Sequence, residues 1–328
     1  MRVLVTGGAG YVGSVSVEGL LRAGHTVTVL DTLVTGHRAA VAPGAELVVG
    51  TLSDASLVAG LLRSKGIEAV VHCGARSLVG ESIANPALYY RENVAGGVAL
   101  LEALREVGVN RLVFSSSAAV YGAPDSAAVD ETAVLRPINP YGETKRAFEG
   151  ALTWYGRGHG LRAVALRYFN VAGASQAFGE HHQPETHLIP NVLAGAAGGT
   201  PVTIMGTDYP TPDGTPVRDY IHVEDLSDAH LAALELTAAA PPGLEVCNLG
   251  SGSGFSVWEV LRAVQEAVGA PIPHEVGARR AGDPPVLVAT NDRARDVLGW
   301  TPRRGTLQEM IGSAWRWRQA HPQGYAEG

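Results

Sequence analysis

Cysteine is nearly absent from the 328-residue chain: Cys73 and Cys247 stand far apart, with no C-x-x-C pair or zinc-ligand spacing around either. A disulfide-stapled scaffold is excluded, and a reducing, cytoplasmic setting is the expectation. Long hydrophobic runs are missing too. No apolar stretch reaches the ~18 residues that a membrane helix needs. Met1-Arg2-Val3-Leu4-Val5-Thr6 meets glycine too soon to hold the apolar segment of a signal peptide. Charged residues make up only 17%, the net charge is −7, and no local Lys/Arg block reverses that sign. Nothing here draws the chain electrostatically to nucleic acid or to an anionic membrane. Internal repeats and low-complexity tails are also lacking. Apolar residues, in contrast, reach 46%, enough to bury a large core, and the length points to about two domains.

The first half alternates short β-branched runs with longer helix-like stretches. The runs are Arg2 to Val5, Thr26 to Leu30, Leu47 to Val49, Ala69 to His72, Arg111 to Phe114 and Arg162 to Leu166. Unbroken apolar strands imply burial on both faces, and strand–helix alternation implies a parallel sheet with crossover helices. One long helix is expected from about Asn85 to Val107, with Pro86 in its first turn, and another from Asn139-Pro140. After about Phe169 the texture changes, and two Gly/Pro-rich loops follow, Gly173 to Pro184 and Gly206 to Pro216. The expected class is α/β, a Rossmann-like doubly wound parallel sheet with a smaller C-terminal substrate-binding domain. Residues 1–170 would form the first domain, segments near 219–255 would return to it, and 171–328 would mainly form the second.

Gly7, Gly10 and Gly13 directly follow the first strand in a G-x-x-G-x-x-G loop. Glycines there permit a tight turn, a close backbone approach to a pyrophosphate, and close packing of helix on sheet. The helix N-terminus then offers N–H groups and positive dipole to the anion. The pattern alone is weak. Here strand, loop and helix come in the right order, and Asp31 ends the second strand, where it can accept from a ribose diol and repel a 2′-phosphate. A dinucleotide site, with NAD favoured over NADP, outweighs the reading of Asp31 as a turn residue.

Tyr141 and Lys145 form a Y-x-x-x-K on the helix capped by Asn139, so both side chains lie on one face. A lysine beside a phenol favours phenolate, and a bound nicotinamide cation would push the same way, which makes Tyr141 a candidate general base. Upstream, Ser115-Ser116-Ser117 ends strand five, at the sheet edge where ligands sit in open α/β folds. Taken singly, each pattern has an ordinary reading, an amphipathic helix surface or a polar strand exit.

Together, the glycine loop, Ser117, Tyr141 and Lys145 resemble the extended short-chain dehydrogenase/reductase superfamily. More narrowly the chain resembles the UDP-glucose 4-epimerase family, through Val5 to Tyr11, Ser115 to Gly122, Pro140 to Lys145, Arg167 to Asn170, Asp208 to Val223 and Arg279 to Asp283. The resemblance implies that Tyr141 takes the proton of the sugar 4-hydroxyl while hydride passes from C4 to NAD. The 4-keto sugar then rotates and is reduced on its other face. Lys145 would depress the Tyr141 pKa and hold the nicotinamide ribose, and Ser117 would hydrogen-bond the reacting oxygen. Cofactor contacts carried over are Gly7, Gly10, Tyr11, Val12, Gly13, Asp31, Thr32, Thr51, Leu52, Cys73, Gly74, Ala75, Arg76, Ser77, Asn93, Tyr141, Lys145 and Phe169.

Arg218 and Arg280 resemble a clamp on the substrate diphosphate, a task that suits a guanidinium fork. Asn170, Leu188 and Met205 resemble positions around the uridine half of the substrate, with Asp283 on its ribose; His187 is carried over as a substrate contact, and Ser117, Tyr141 and Leu287 face the sugar. A UDP-hexose substrate and a homodimer packed through the helices of Asn93 and Tyr141 follow from the same likeness. Four positions depart from the family pattern: Ala119 for threonine, Thr51 for aspartate, Arg76 for lysine, and Leu287 for a tyrosine beside C2 of the sugar. The smaller Leu287 would admit N-acetylated UDP-sugars.

Two other activities and one other site compete with this reading. A nucleotide-sugar dehydratase would need an acid after Ser117, where Ala118 and Ala119 stand; a non-catalytic NAD sensor would not need Ser117, Tyr141 and Lys145 together. Glu180-His181-His182-Gln183-Pro184-Glu185-Thr186-His187 is rich in metal-ligating types, but its spacings match no common site and proline breaks the loop. The expectation is a substrate-covering loop with no metal. Cys73, at a strand end, is expected to be packed and unreactive.

Overall fold

In the computed structural model, which describes residues 1–198, 200–279 and 283–326, seven parallel strands form the main sheet. They are β1 (Arg2–Thr6), β2 (Thr26–Asp31), β3 (Glu46–Val49), β4 (Ala69–His72), β5 (Arg111–Ser117), β6 (Arg162–Tyr168) and β7 (Gly243–Leu249), ordered β7-β6-β5-β4-β1-β2-β3. Successive side chains on a strand point to opposite faces. Val3 and Val5 of β1 therefore join one core with Val15, Val17, Leu226 and Ala229, while Leu4 joins the other with Val58, Leu62, Leu100 and Phe148. Helices α1 (Tyr11–Arg22) and α5 (Val223–Ala239) cover the first face; α2 (Ala55–Ser64), α3 (Gly96–Val107) and α4 (Pro140–His159) cover the second. The strand order reverses between β1 and β4, and the crevice beyond their carboxyl ends is where such sheets bind ligands.

The remaining segments build a smaller layer beside that crevice. Strand Val217–His222 pairs with Asn170–Ala172, Gly254–Ser256 and Val286–Ala289, and the last pairs with Ala128–Val129, so a segment from the first half reaches into the second sheet. Val202–Met205 pairs with His274–Gly277. Helices Leu188–Ala196, Val257–Val268 and Leu307–Ala320 share a separate core, and the last two open with full capping boxes at Ser256 and Thr306. None of the described helices is long and apolar enough to cross a membrane.

The helix expected over 85–107 is not one α-helix. An α-turn at Pro86–Tyr89 passes into a π-helical stretch, Tyr90–Ala95, before α3 begins. The wider turn accompanies a buried Asn93, whose side-chain oxygen accepts from the Arg76 N–H at 2.8 Å while its amide donates to the Arg76 carbonyl at 3.0 Å.

Three buried histidines hold parts of the fold as neutral rings. His72 pairs with Thr6 Oγ1 at 2.7 Å, His230 with Ser115 Oγ at 2.9 Å, and His222 with Ser313 Oγ at 2.9 Å. Burial pulls them from 6.5 down to about 3, about 4 and about 4 respectively. The unfolded chain therefore takes up these protons first, so their stability contribution is complete above pH 6.5 and lost as pH falls through about 4. Urea unfolding at pH 5 is expected to show a loss on the order of 1–2 kcal/mol per histidine relative to pH 7. A flat profile over that interval would contradict it.

Candidate active site

The cradle at the end of β1 is made of contacts that only glycine permits. Gly7 has φ +72° and lies against Gly74 at the end of β4; a Cβ on Gly13 would overlap the Gly7 carbonyl. Gly10 caps α1 with no side-chain bond, leaving the first-turn N–H groups facing the crevice. The Asp31 carboxylate, at the end of β2, accepts from Ala9 N at 3.0 Å and Leu33 N at 2.9 Å, which fixes it over the glycine loop. Tyr11 donates to the Gly173 carbonyl at 2.6 Å and so links this loop to the chain leaving the sheet.

On the other side of the crevice, α4 presents Tyr141, Lys145 and Glu149 at successive turns of one face. Asn139 caps it by accepting from Gly142 N at 2.9 Å, and Pro140 occupies the first turn. Lys145 donates to the Ser115 carbonyl at 2.7 Å, and its ammonium stands 5.8 Å from the centre of the Tyr141 ring. Burial lowers Lys145 from 10.5 to about 8. Burial likewise raises the Tyr141 phenol above its ordinary value, with the Ser117 hydroxyl pulling part of the way back. The expected depression of this pKa rests on Lys145 together with a nicotinamide cation; within the chain alone the Lys145 ammonium is directed at a backbone carbonyl and burial dominates at the phenol.

Below Lys145, the Glu149–Arg167 pair is about 5% exposed on each side chain and bidentate, at 2.9 and 2.6 Å. Glu149 also accepts from Ser116 Oγ at 2.6 Å, and Arg167 donates to Tyr121, which donates to Asn248 at 2.6 Å. The network ties β5, β6, β7 and α4 together directly beneath Ser117 and Tyr141.

The second layer contributes Arg218, Asp283 and Leu287. Arg218 donates to Asp283 at 2.5 Å, and strand pairing sets Arg218 beside Leu287. The neighbouring Asp219 is buried and accepts from Ser251, Gly252 and Ala289, which clamps the loops around that strand. Above them, the loop expected to cover the crevice does so with Glu180, His182 and His187 in its lining. The His182 and His187 rings lose charge stability through burial. The carboxylates of Glu180 and Glu185 more than offset this, pushing them up to about 9 and about 10. The whole crevice encloses about 1080 Å³.

Residues 3–250 match the NAD dependent epimerase/dehydratase family. The chain belongs to this family. It is 48% identical to the UDP-glucose 4-epimerase of Lactobacillus helveticus over 330 residues, covering 100% of both chains. A solved UDP-glucose 4-epimerase superposes with a TM-score of 0.96 at 45% identity, over 99% of this chain and 100% of that one. The Brucella ovis UDP-glucose 4-epimerase, solved in complex with NAD, superposes with a TM-score of 0.93 at 42% identity, over 96% and 97% of the two chains.

The family's dinucleotide fits the cradle: backbone packs where a Cβ on Gly7 or Gly13 would stand, which draws the first turn of α1 to the crevice, and no side chain caps the N–H groups there. Gly7, Gly10, Tyr11, Val12, Gly13, Asp31, Thr32, Thr51, Leu52, Cys73, Gly74, Ala75, Arg76, Ser77, Tyr141, Lys145 and Phe169 all line it. So do Ser117, Asn170, His187, Arg218, Asp283 and Leu287. Three expected residues stand back. Asn93 clasps the Arg76 peptide and Thr144, so it shapes the wall behind the crevice. Leu188 packs into the separate core of the second layer, and Met205 ends a strand outside the lining. Arg280 lies outside the described residues. Cys73 lines the crevice, but burial pushes its thiol up to about 11, which leaves it unreactive near neutrality. The sequence reading missed Glu149, although its spacing of four from Lys145 placed it on the same helix stripe.

Replacing Glu149 alone with alanine leaves the Arg167 guanidinium buried and unpaired, at an expected cost of about 3–5 kcal/mol in urea unfolding. The double replacement with leucines at 149 and 167 is expected to recover most of that loss. A single variant within ~1 kcal/mol of the parent would show that the pair does not hold the site.

Proposed function

We propose that the chain interconverts UDP-galactose and UDP-glucose by inverting C4 of the hexose through a 4-keto intermediate. One observation carries this reading: Ser117, Tyr141 and Lys145 line the same crevice as the glycine cradle. Full-length likeness to UDP-glucose 4-epimerases supports the substrate, and the NAD of the Brucella ovis protein supports the cofactor. Bound in the cradle, NAD supplies a reversible hydride acceptor and a positive charge near the phenol. Gly7, Gly10 and Gly13 would bring backbone N–H groups to its pyrophosphate, Asp31 would accept from its ribose, and Thr51 and Leu52 would stand on its adenine side.

With that charge in place, Tyr141 Oη takes the proton of the sugar 4-hydroxyl and later returns it. Ser117 steadies the same oxygen. Lys145, held by the Ser115 carbonyl, keeps a cation behind the ring. Arg218 meets the substrate diphosphate as a fork, which frees Asp283 to accept from the nucleotide ribose. Ala118 and Ala119 follow Ser117 in the lining, so the acid that elimination would need at that point is missing. UDP-N-acetylhexosamines form a second substrate reading, favoured by Leu287, whose side chain lines the crevice where a larger ring would close it.

Proton NMR of UDP-galactose with the purified chain and no added NAD is expected to show the anomeric signal of UDP-glucose. Tyr141→Phe should lower that rate by about 10²–10⁴-fold while the cofactor stays bound. Undiminished turnover in this variant would remove Tyr141 from the chemistry. The same assay with UDP-N-acetylglucosamine decides the role of Leu287, since failure to react would exclude the wider pocket.

We also propose a cytoplasmic homodimer. Tyr90 and Trp154 are 45% and 67% exposed on the helices of Asn93 and Tyr141, which the family resemblance puts at the dimer interface, and both cysteines are free thiols. Sedimentation is expected at about twice the chain mass of 34.1 kDa. A single species at the chain mass would refute the dimer.

A further inference from the structure

The covering loop gathers a donor set that its sequence spacing hides. Glu180, His182, Glu185 and His187 each present one ligand atom, and these four atoms lie within 4.8 Å of one another. His187 Nδ1 is 2.7 Å from Glu180 Oε1 and 2.9 Å from Glu185 Oε1; His182 Nδ1 is 3.2 Å from Glu180 Oε1 and 3.5 Å from Glu185 Oε2. Each imidazole nitrogen therefore faces both carboxylates, with Glu185 turning Oε1 to His187 and Oε2 to His182. His182 Nδ1 is buried and makes no hydrogen bond of acceptable geometry, although it points at both acids.

We infer that Glu180, His182, Glu185 and His187 form a binding site for one divalent transition-metal cation of the zinc class. A tetrahedral ion with bonds of about 2.0–2.2 Å needs ligand atoms about 3.3–3.6 Å apart. The His182 contacts, 3.2 and 3.5 Å, stand close to that, and the His187 contacts, 2.7 and 2.9 Å, need only a small opening to reach it. Two carboxylates with two neutral imidazoles balance the charge of one such cation. Mixed nitrogen and oxygen donors, four in number, suit zinc better than calcium or magnesium, which take six or more oxygens. The ligand spacing is irregular because the loop turns back on itself through Gln183-Pro184, bringing residues 180 and 187 together.

The cation fastens the cover to the cradle. His182 meets the Tyr11 ring edge-on at 6.4 Å, and Tyr11 in turn holds the Gly173 carbonyl at the root of the loop. Glu180, His182 and His187 also line the crevice, so the metal shapes the wall over the bound ligands without itself being required for proton transfer at Tyr141.

The test uses the full, tag-free chain, stripped with a chelator and then titrated with zinc chloride by calorimetry, alongside elemental analysis of the protein as isolated. One zinc per chain is expected, with a rise in thermal midpoint on loading. In Glu185→Gln, whose acid stands behind the crevice lining, affinity should fall by about 100-fold and the thermal rise should vanish. Retention of cofactor and an unchanged circular dichroism spectrum would show that the variant still folds. Absence of binding up to about 1 mM zinc in the parent overturns the site. Equal binding by parent and variant also overturns it, since the zinc would then sit elsewhere.

Discussion

The rest of the molecule depends on how closely the backbone at the end of β1 is packed. Gly7 rests on Gly74, and α1 starts so near the sheet that Gly13 has no room for a side chain above the Gly7 carbonyl. This contact brings the positive end of a helix to the point where the strand order reverses, with no side chain in between. Asp31 bonds to Ala9 because the glycine loop is pulled that tight. A single methyl group would push α1 off the sheet and disturb every one of these relations.

Against that backbone surface the chain sets a ladder of buried polar groups on α4. Tyr141, Lys145 and Glu149 descend from the crevice into the core, and each has a different source of compensation. Glu149 has a guanidinium, Lys145 has a carbonyl and the Phe114 ring 4.8 Å from its ammonium, and Tyr141 opens onto the crevice. Charges removed from water require such partners, and truncating one strands the other. The consecutive serines at the end of β5 are divided in the same way: Ser115 pairs with His230, Ser116 with Glu149, and Ser117 is left at the crevice.

Much of this was legible in the residues. Apolar runs, glycine spacing and the Asn139-Pro140 cap are local signals, and local geometry follows from them, so the sheet, the cradle and α4 agree with the reading. What escaped it was long-range. Asn93 binds a peptide seventeen residues away, an arrangement no periodicity announces, and it sits in a π-turn that a helix pattern does not distinguish from α. Burial of the Tyr141 phenol, which raises its pKa, depends on what packs around α4 and not on the spacing to Lys145. Leu188 is an apolar residue whose packing against its own layer looks the same in sequence as a place in a ligand wall. The acids and histidines of 180–187 come together only because an irregular loop folds back, and spacing rules assume a regular element.

The substrate side shows how sheet register can assemble a site from distant segments. Parallel pairing sets Arg218 beside Leu287 and, two residues further along the same strand, Tyr220 beside Asn170. A slip of one residue would turn the Arg218 side chain to the opposite face of that small sheet, so register alone decides whether a guanidinium reaches the crevice. Asp219 guards against the slip. Its buried carboxylate accepts from Ser251, Gly252 and Ala289, groups that a shifted strand would leave unpaired. The Arg218–Asp283 pair, largely shielded from solvent, then fixes the direction of the guanidinium on the strand that register has aimed at the crevice.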